Sequence, residues 1–322
     1  MTNSKNILVI GSGTWGTAVA NLIAENNHRV FLNSIEDSVI NDINLNHKNS
    51  KYFPEINLNK NLIAIPNLKT EVDFVFVVVP SHAIYQLFSK ISELNFSKEC
   101  IFVICSKGFE HKNLDLITDA FEKITHRKNY AVLSGPNFAI EVASKVPSIT
   151  SVASFDPEIA KNVIEILNND YFKAQFHPDP RTAEICGVVK NILAIGCGIV
   201  DGLNLGVNTK SALLVKGVNE IQKLCRVIKA NDDLENPAGF GDIFLTCSST
   251  KSRNNSLGLL IARGLKPDPN TTYEGANSAK LIVEFAKKYN LKLDLCEEIN
   301  KIINGNYSLN EIKQNIITAI LS

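Results

Sequence analysis

The chain has 322 residues, 45% of them hydrophobic, and its 33 Lys+Arg balance 33 Asp+Glu. That length favours two domains over a single core, and the charge balance argues against nucleic acid or an acidic membrane surface as a partner. The seven cysteines include no C-x-x-C pair, which suits a reducing cytoplasmic compartment with the thiols as small core residues.

Residues 7–10 are an apolar run that leads directly into Gly11-Ser12-Gly13-Thr14-Trp15-Gly16. The run is too short for a secretory leader and reads as a buried strand, followed by a glycine turn and a helix over 14–26. Gly11 permits the tight turn, Gly13 lets the backbone approach a pyrophosphate, and Gly16 lets the helix sit close to the strand. N–H groups at the helix start favour anionic phosphates. A lone glycine signature is weak, and its position between strand and helix makes it a dinucleotide-site candidate. The competing reading is a turn that binds nothing.

Further strands are expected at 29–32, 62–65, 74–79, 101–104 and 131–133, with amphipathic segments such as 82–91 and 114–124 between them. The run 74–79 is apolar on both faces, as in a central parallel strand covered by helices. This alternation predicts an α/β Rossmann-like doubly wound sheet with its ligand at the carboxyl ends of the strands. Segments 148–154 and 172–176 extend the sheet.

At His177-Pro178-Asp179-Pro180 the pattern changes, and helical periodicity marks 181–200, 210–228, 255–263, 276–289 and 309–321. The expected division is a dinucleotide-binding domain over 1–178 and a second, mainly α-helical substrate and catalytic domain over 179–322. The most membrane-like stretch, 192–200, is interrupted by Gly196 and Gly198 and flanked by Lys190 and Asp201. It is too short and too charged to span a bilayer, so the chain is not expected to be membrane-embedded.

Four patches carry candidate chemistry. Ser106-Lys107-Gly108 follows a central strand, where a lysine faces either the ligand crevice or water. Ser134-Gly135-Pro136-Asn137-Phe138-Ala139 follows another strand, as a ligand-facing turn or a plain βα connection. Lys190 sits in the otherwise apolar helix Glu184-Ile185-Cys186-Gly187-Val188-Val189-Lys190-Asn191, where it either snorkels to water or works as a desolvated proton donor and acceptor. Gly187, three residues earlier, suggests close approach of another group there. Asp242 follows the glycine-rich Gly239-Phe240-Gly241, and Ser252-Arg253-Asn254 opens a helix as an anion site or as a cap with a surface arginine. The six histidines and seven cysteines show no ligand spacing, so no metal is expected.

With Asn49-Ser50-Lys51-Tyr52-Phe53-Pro54 and Glu274-Gly275 added, these pieces run in order along nearly the whole chain. The set resembles the bacterial-type NAD(P)-dependent sn-glycerol-3-phosphate dehydrogenase family. The resemblance implies reversible hydride transfer between NAD(H) or NADP(H) and the carbon joining glycerol 3-phosphate to dihydroxyacetone phosphate. It further implies a small phosphorylated substrate, a supply of glycerol phosphate for phospholipid synthesis, and a homodimer. It makes Lys190 the catalytic acid/base, and assigns substrate contacts to Lys107, Gly135, Asn137, Lys190 itself, Asp242, Ser252, Arg253 and Asn254. Cofactor contacts fall to Gly11, Ser12, Gly13, Thr14, Trp15, Gly16, Tyr52, Lys107, Ala139, Arg253 and Glu274.

Three departures from the family pattern stand out. Asn137 replaces a small hydroxyl residue, Asn33 stands where tryptophan is frequent, and Ile35 and Glu36 stand where basic residues are frequent. An acidic Glu36 twenty residues after Gly16 suits a ribose 2′-hydroxyl and repels a 2′-phosphate, so NADH should be preferred. The competing reading leaves Glu36 solvated, discriminating nothing. Two alternatives stay open on residues alone: a Rossmann dehydrogenase acting on a hydroxyacyl thioester or sugar acid, and a nicotinamide-binding sensor without turnover. The first explains Ser252-Arg253-Asn254 less well, and the second has no use for Lys190 as an acid/base.

Overall fold

The structure is a computed structural model that describes residues 4–269 and 271–322. It divides into two compact units, Met1–Pro180 and Arg181–Ser322. The first runs β1 (Asn6–Ile10), α1 (Thr14–Glu25), β2 (Arg29–Asn33), α2 (Asp37–Asn46), β3 (Lys48–Asn49), β4 (Phe53–Asn57), β5 (Leu62–Ile65) and β6 (Phe74–Val77). It continues with α3 (Ile84–Ser92), β7 (Ile101–Ile104), β8 (Phe109–Glu110), β9 (Asp115–Leu116), α4 (Ile117–Thr125) and β10 (Tyr130–Ser134). It ends with α5 (Ala139–Ala143), β11 (Ser148–Ala153), α6 (Pro157–Leu167) and β12 (Phe172–His177).

Eight strands form one sheet in the order β12-β11-β10-β7-β6-β1-β2-β5. Among the described residues of this sheet only the β10–β11 pairing is antiparallel, so six neighbouring strands from β5 to β10 share one direction. The chain winds outward from β1 through β2 and β5 on one side, and through β6, β7 and β10 on the other. The change of direction lies between β1 and β6, where a doubly wound sheet opens a ligand crevice at its carboxyl edge. Every residue of β6 and β7 is buried, as expected of central strands covered on both faces.

The sheet strands lie within one or two residues of their sequence positions; β5, β6 and β7 are uninterrupted apolar runs, whereas β11 and β12 mix apolar with polar residues. Two helix starts expected in this unit differ. Residues 81–83 form a 3₁₀ turn after Pro80, before α3 proper. Leu114 adopts a left-handed φ of 55°, and 115–116 pair with 109–110, so α4 begins only at Ile117.

The second unit is helical: α7 (Pro180–Gly202), α8 (Val207–Val227), α9 (Asp242–Ser248), α10 (Arg253–Ala262), α11 (Glu274–Lys287), α12 (Asp294–Asn304) and α13 (Leu309–Leu321). Taken whole, the 23-residue α7 is long and apolar enough to cross a membrane, unlike the 192–200 stretch considered alone, yet its apolar window is entirely buried. It is the central helix of this unit. Its glycines permit close crossings: a Cβ at Gly198 would lie 2.1 Å from the Asn255 carbonyl oxygen on α10, and one at Gly258 would lie 2.0 Å from that of Ile195. All seven cysteines are buried.

Candidate functional site

The candidate residues fall into two groups, one in each unit. In the first, parallel pairing places the carboxyl ends of β1, β6, β7 and β10 along the same edge of the sheet. The glycine turn after β1 adopts the strain-free geometry that only glycine allows: Gly11 has φ 109°, and a Cβ there would lie 2.3 Å from the Val78 carbonyl oxygen. A Cβ at Gly16 would lie 1.8 Å from the Gly11 carbonyl oxygen, so this glycine lets the helix close onto its own turn, with β6's extension at Val78 next to it. At Gly13 a Cβ would meet nothing within 4 Å, which leaves the turn open to an incoming group. No side chain caps α1, and no acidic residue occupies its first turn. Open space, uncapped N–H donors and no opposing carboxylate suit a dinucleotide pyrophosphate.

Side chains tie three segments to this turn. Ser12 Oγ donates to Ser34 Oγ at 2.7 Å, and the Glu36 backbone N–H donates to the same oxygen at 3.1 Å. Asn49 Nδ2, on the β3–β4 hairpin, donates to the Ser12 carbonyl at 3.1 Å and to Thr17 Oγ1 at 2.8 Å. Lys51 forms an ion pair with Glu36, whose other carboxylate oxygen accepts from Tyr52 Oη at 3.0 Å. Hydrogen bonds from Lys51 and Tyr52 hold the Glu36 carboxyl below its ordinary range. Of the cofactor candidates, Trp15, Tyr52 and Ala139 meet in one apolar cluster around Ala18, Phe53 and Ala143. Thr14 is exposed on the first turn of α1.

Lys107 lies half-buried in the loop after β7. Ser106 anchors that loop to the end of β6: its Oγ donates to the Val79 carbonyl at 2.6 Å and accepts the Val79 N–H at 3.2 Å. In the turn after β10, Gly135 permits close approach to β11, since a Cβ there would lie 2.7 Å from Thr150 Cα. Asn137 Nδ2 donates to the Ile149 carbonyl at 2.9 Å, a reach to β11 that gives the unusual amide a structural use. Around this turn Ser134 Oγ, Asn137 Oδ1 and Thr150 Oγ1 are buried without a hydrogen-bond partner. Such groups are uncommon in folded proteins and mark a place for a polar ligand or bound water. Asn33 is a brace, donating to the Ile65 and Pro66 carbonyls on the β5 side.

In the second unit Lys190 does not snorkel. It is 6% exposed on α7 and forms an ion pair with Asp242, itself 1% exposed at the first residue of α9. Thr246 Oγ1 donates to Asp242 Oδ1 at 3.4 Å, one turn along α9. Cys247 Sγ donates to the Lys190 carbonyl at 3.8 Å, and a contact with Cys197, together with burial, pushes its thiol well up. A raised thiol disfavours the thiolate, and Cys247 packs here as a small buried group.

Ser252 is the N-cap of α10, its Oγ accepting the Asn255 N–H at 3.4 Å. Arg253 is exposed on the first turn of that helix. Asn254 Oδ1 accepts the Gly275 N–H at 3.0 Å, and a Cβ at Gly275 would lie 2.6 Å from the Asn191 carbonyl oxygen. Asn254, Gly275 and Asn191, next to Lys190, are thus drawn together, with exposed Glu274 opening α11. The structural contributions of Lys51, Asn49, Ser34, Ser106 and Thr246 were not apparent from the sequence. Asn49, Lys51 and Ser106 belong to motifs in which only their neighbours carry an expected role.

Models of the NAD-dependent glycerol-3-phosphate dehydrogenase N-terminus and C-terminus match residues 6–160 and 179–314. Glycerol-3-phosphate dehydrogenase [NAD(P)+] of Maricaulis maris is 33% identical, with 98% of this chain and 97% of the relative covered. One from Sphingopyxis alaskensis is 36% identical, covering 95% and 94%. The crystal structure of glycerol-3-phosphate dehydrogenase from Coxiella burnetii superposes with a TM-score of 0.90 at 30% identity, covering 97% of this chain and 98% of that one. D-mandelate dehydrogenase, at 14% identity and a TM-score of 0.64, shares the fold alone. With both halves matched and full-length relatives above 30% identity, the chain belongs to the NAD-dependent glycerol-3-phosphate dehydrogenase family.

Proposed function

We propose that the chain interconverts sn-glycerol 3-phosphate and dihydroxyacetone phosphate, and that the buried Lys190–Asp242 pair carries the acid–base step. The nicotinamide, when bound, supplies or accepts the hydride at the central carbon. Gly11, Ser12, Gly13, Thr14 and Gly16 hold its pyrophosphate, and Trp15, Tyr52 and Ala139 offer the apolar surface beside the turn. In the reductive direction the Lys190 ammonium gives its proton to the carbonyl oxygen, and in the oxidative direction the amine takes the hydroxyl proton. Asp242 holds that nitrogen in place, with Thr246 steadying the carboxylate.

Lys107 polarises the substrate, and Gly135 and Asn137 shape the turn that contacts it. Ser252, Arg253 and Asn254 bind the phosphate and hydroxyls, and Arg253 and Glu274 also contact the cofactor. Glu36, fixed by Lys51 and Tyr52, favours NADH over NADPH. A homodimer, a cytoplasmic setting, no nucleic-acid partner and a role in supplying glycerol phosphate for phospholipid synthesis follow from the same family reading.

The test is loss of reduced-nicotinamide absorbance when purified protein meets dihydroxyacetone phosphate, with NADH and NADPH compared. Rapid oxidation with a lower KM for NADH is expected. Cofactor binding without oxidation would point to another substrate or to a sensor, and a lower KM for NADPH would remove Glu36 from its proposed role.

A further inference from the structure

The pairing at the end of β2 is unusual in its charge. Glu36 is the N-cap residue of α2, tethered to the glycine turn through Ser34 and Ser12. Lys51 reaches it from the loop between β3 and β4, and Asn49 fastens that same hairpin to the turn. The acidic group and its counter-charge are thus positioned by one hydrogen-bonded network with the pyrophosphate turn.

The Lys51 side chain is 54% exposed and that of Glu36 is 28% exposed, so the ammonium can turn donors to solvent while paired. The ammonium also lies 5.3 Å from the centre of the Tyr52 ring, and Tyr52 Oη donates to Glu36. A bare carboxylate at this place would repel a 2′-phosphate strongly. A carboxylate already paired with an ammonium presents almost no net charge, and the ammonium itself can pair with phosphate.

We propose that Lys51 is a specificity-determining residue that moderates the NADH preference set by Glu36 and carries the 2′-phosphate when NADPH binds. This rests on the assignment of the glycine turn and Glu36 to the dinucleotide, and it gives the two partners opposite effects on selectivity. Glu36 rejects the phosphate; Lys51 admits it.

Isothermal titration calorimetry of NADH and NADPH on the full chain tests this independently of turnover. The proteins are wild type, Lys51→Met, Glu36→Gln and the double variant, all at low ionic strength. Lys51→Met should weaken NADPH binding by roughly fivefold or more while NADH stays within about twofold. Glu36→Gln should tighten NADPH by a similar factor, and adding Lys51→Met to it should abolish that gain. Equal weakening of both cofactors by Lys51→Met would reduce the residue to an anchor for the hairpin and overturn the proposal. So would a Glu36→Gln gain that survives loss of the ammonium. Wild-type protein that binds neither dinucleotide would overturn the assignment of the turn itself, and this proposal with it.

Discussion

Lys190 and Asp242 are each almost wholly buried, and a buried charge is tolerable only with its partner in place. Removing one member of such a pair typically costs about 3–5 kcal/mol, so a simple truncation confounds catalysis with folding. Lys190→Arg separates the two. Its guanidinium keeps the charge beside Asp242 but does not release a proton near neutral pH. The kcat should fall by about 10²–10⁴-fold, the usual contribution of a general acid or base, with NADH affinity and circular dichroism retained. Near-normal kcat would exclude Lys190 as the proton donor. Asp242→Asn should instead lower the unfolding midpoint, by an amount read from denaturant titration. Lys190 was legible in the sequence as a cation in an apolar helix. Its partner was not, because 52 positions separate them and nothing local to Asp242 announces a buried cation. Ser252 read equally well as a cap and as an anion contact, and it is at least the cap.

At the level of elements, α7 and α10 cross with backbone almost touching backbone. A Cβ at Gly198 would lie 2.1 Å from the Asn255 carbonyl oxygen, which cannot swing aside as a side chain can. Gly198→Ala should therefore destabilise the protein by about 1–3 kcal/mol or more, despite alanine's better helix propensity. Because Asn255 follows Ser252, Arg253 and Asn254 on the same turn, the displaced α10 should also raise the KM for dihydroxyacetone phosphate. Gly196→Ala is the control: its Cβ would meet side-chain ends, Ile299 Cδ1 at 2.8 Å and Leu213 Cδ1 at 3.0 Å, and no backbone, so its change should be the smaller of the two. Equal effects at the two positions would contradict this view of the crossing. The central strands were legible because each is a short apolar run, and β12 because its apolar and polar residues partly alternate. The polar α2, the β3–β4 hairpin and α9 were not, since their places are fixed by tertiary ties such as Asn49 to Ser12 and Lys190 to Asp242. The hairpin's Lys51 was consequently missed as the neighbour of Glu36.

Across the whole chain, each unit has its own interior: a sheet clad by helices in Met1–Pro180, and helices gathered on α7 in Arg181–Ser322. Two cores permit two unfolding steps, and the protein carries a convenient reporter. Trp15 is its single tryptophan and sits in the first unit beside the glycine turn. Tryptophan emission should therefore follow the first unit alone, whereas far-ultraviolet circular dichroism, dominated by helix, follows both. A cofactor held mainly by the folded first unit stabilises it by about 2.7 kcal/mol at a concentration of one hundred Kd. Adding NADH should move the tryptophan transition to higher denaturant and a second, helix-reported transition by less, since that unit is assigned only the Arg253 and Glu274 contacts. Coincident curves at both probes, shifted together by NADH, would show that the chain unfolds as one cooperative body. An unmoved tryptophan transition, with NADH binding shown separately, would place the cofactor's stabilising contacts outside the first unit and remove the glycine turn from its proposed role.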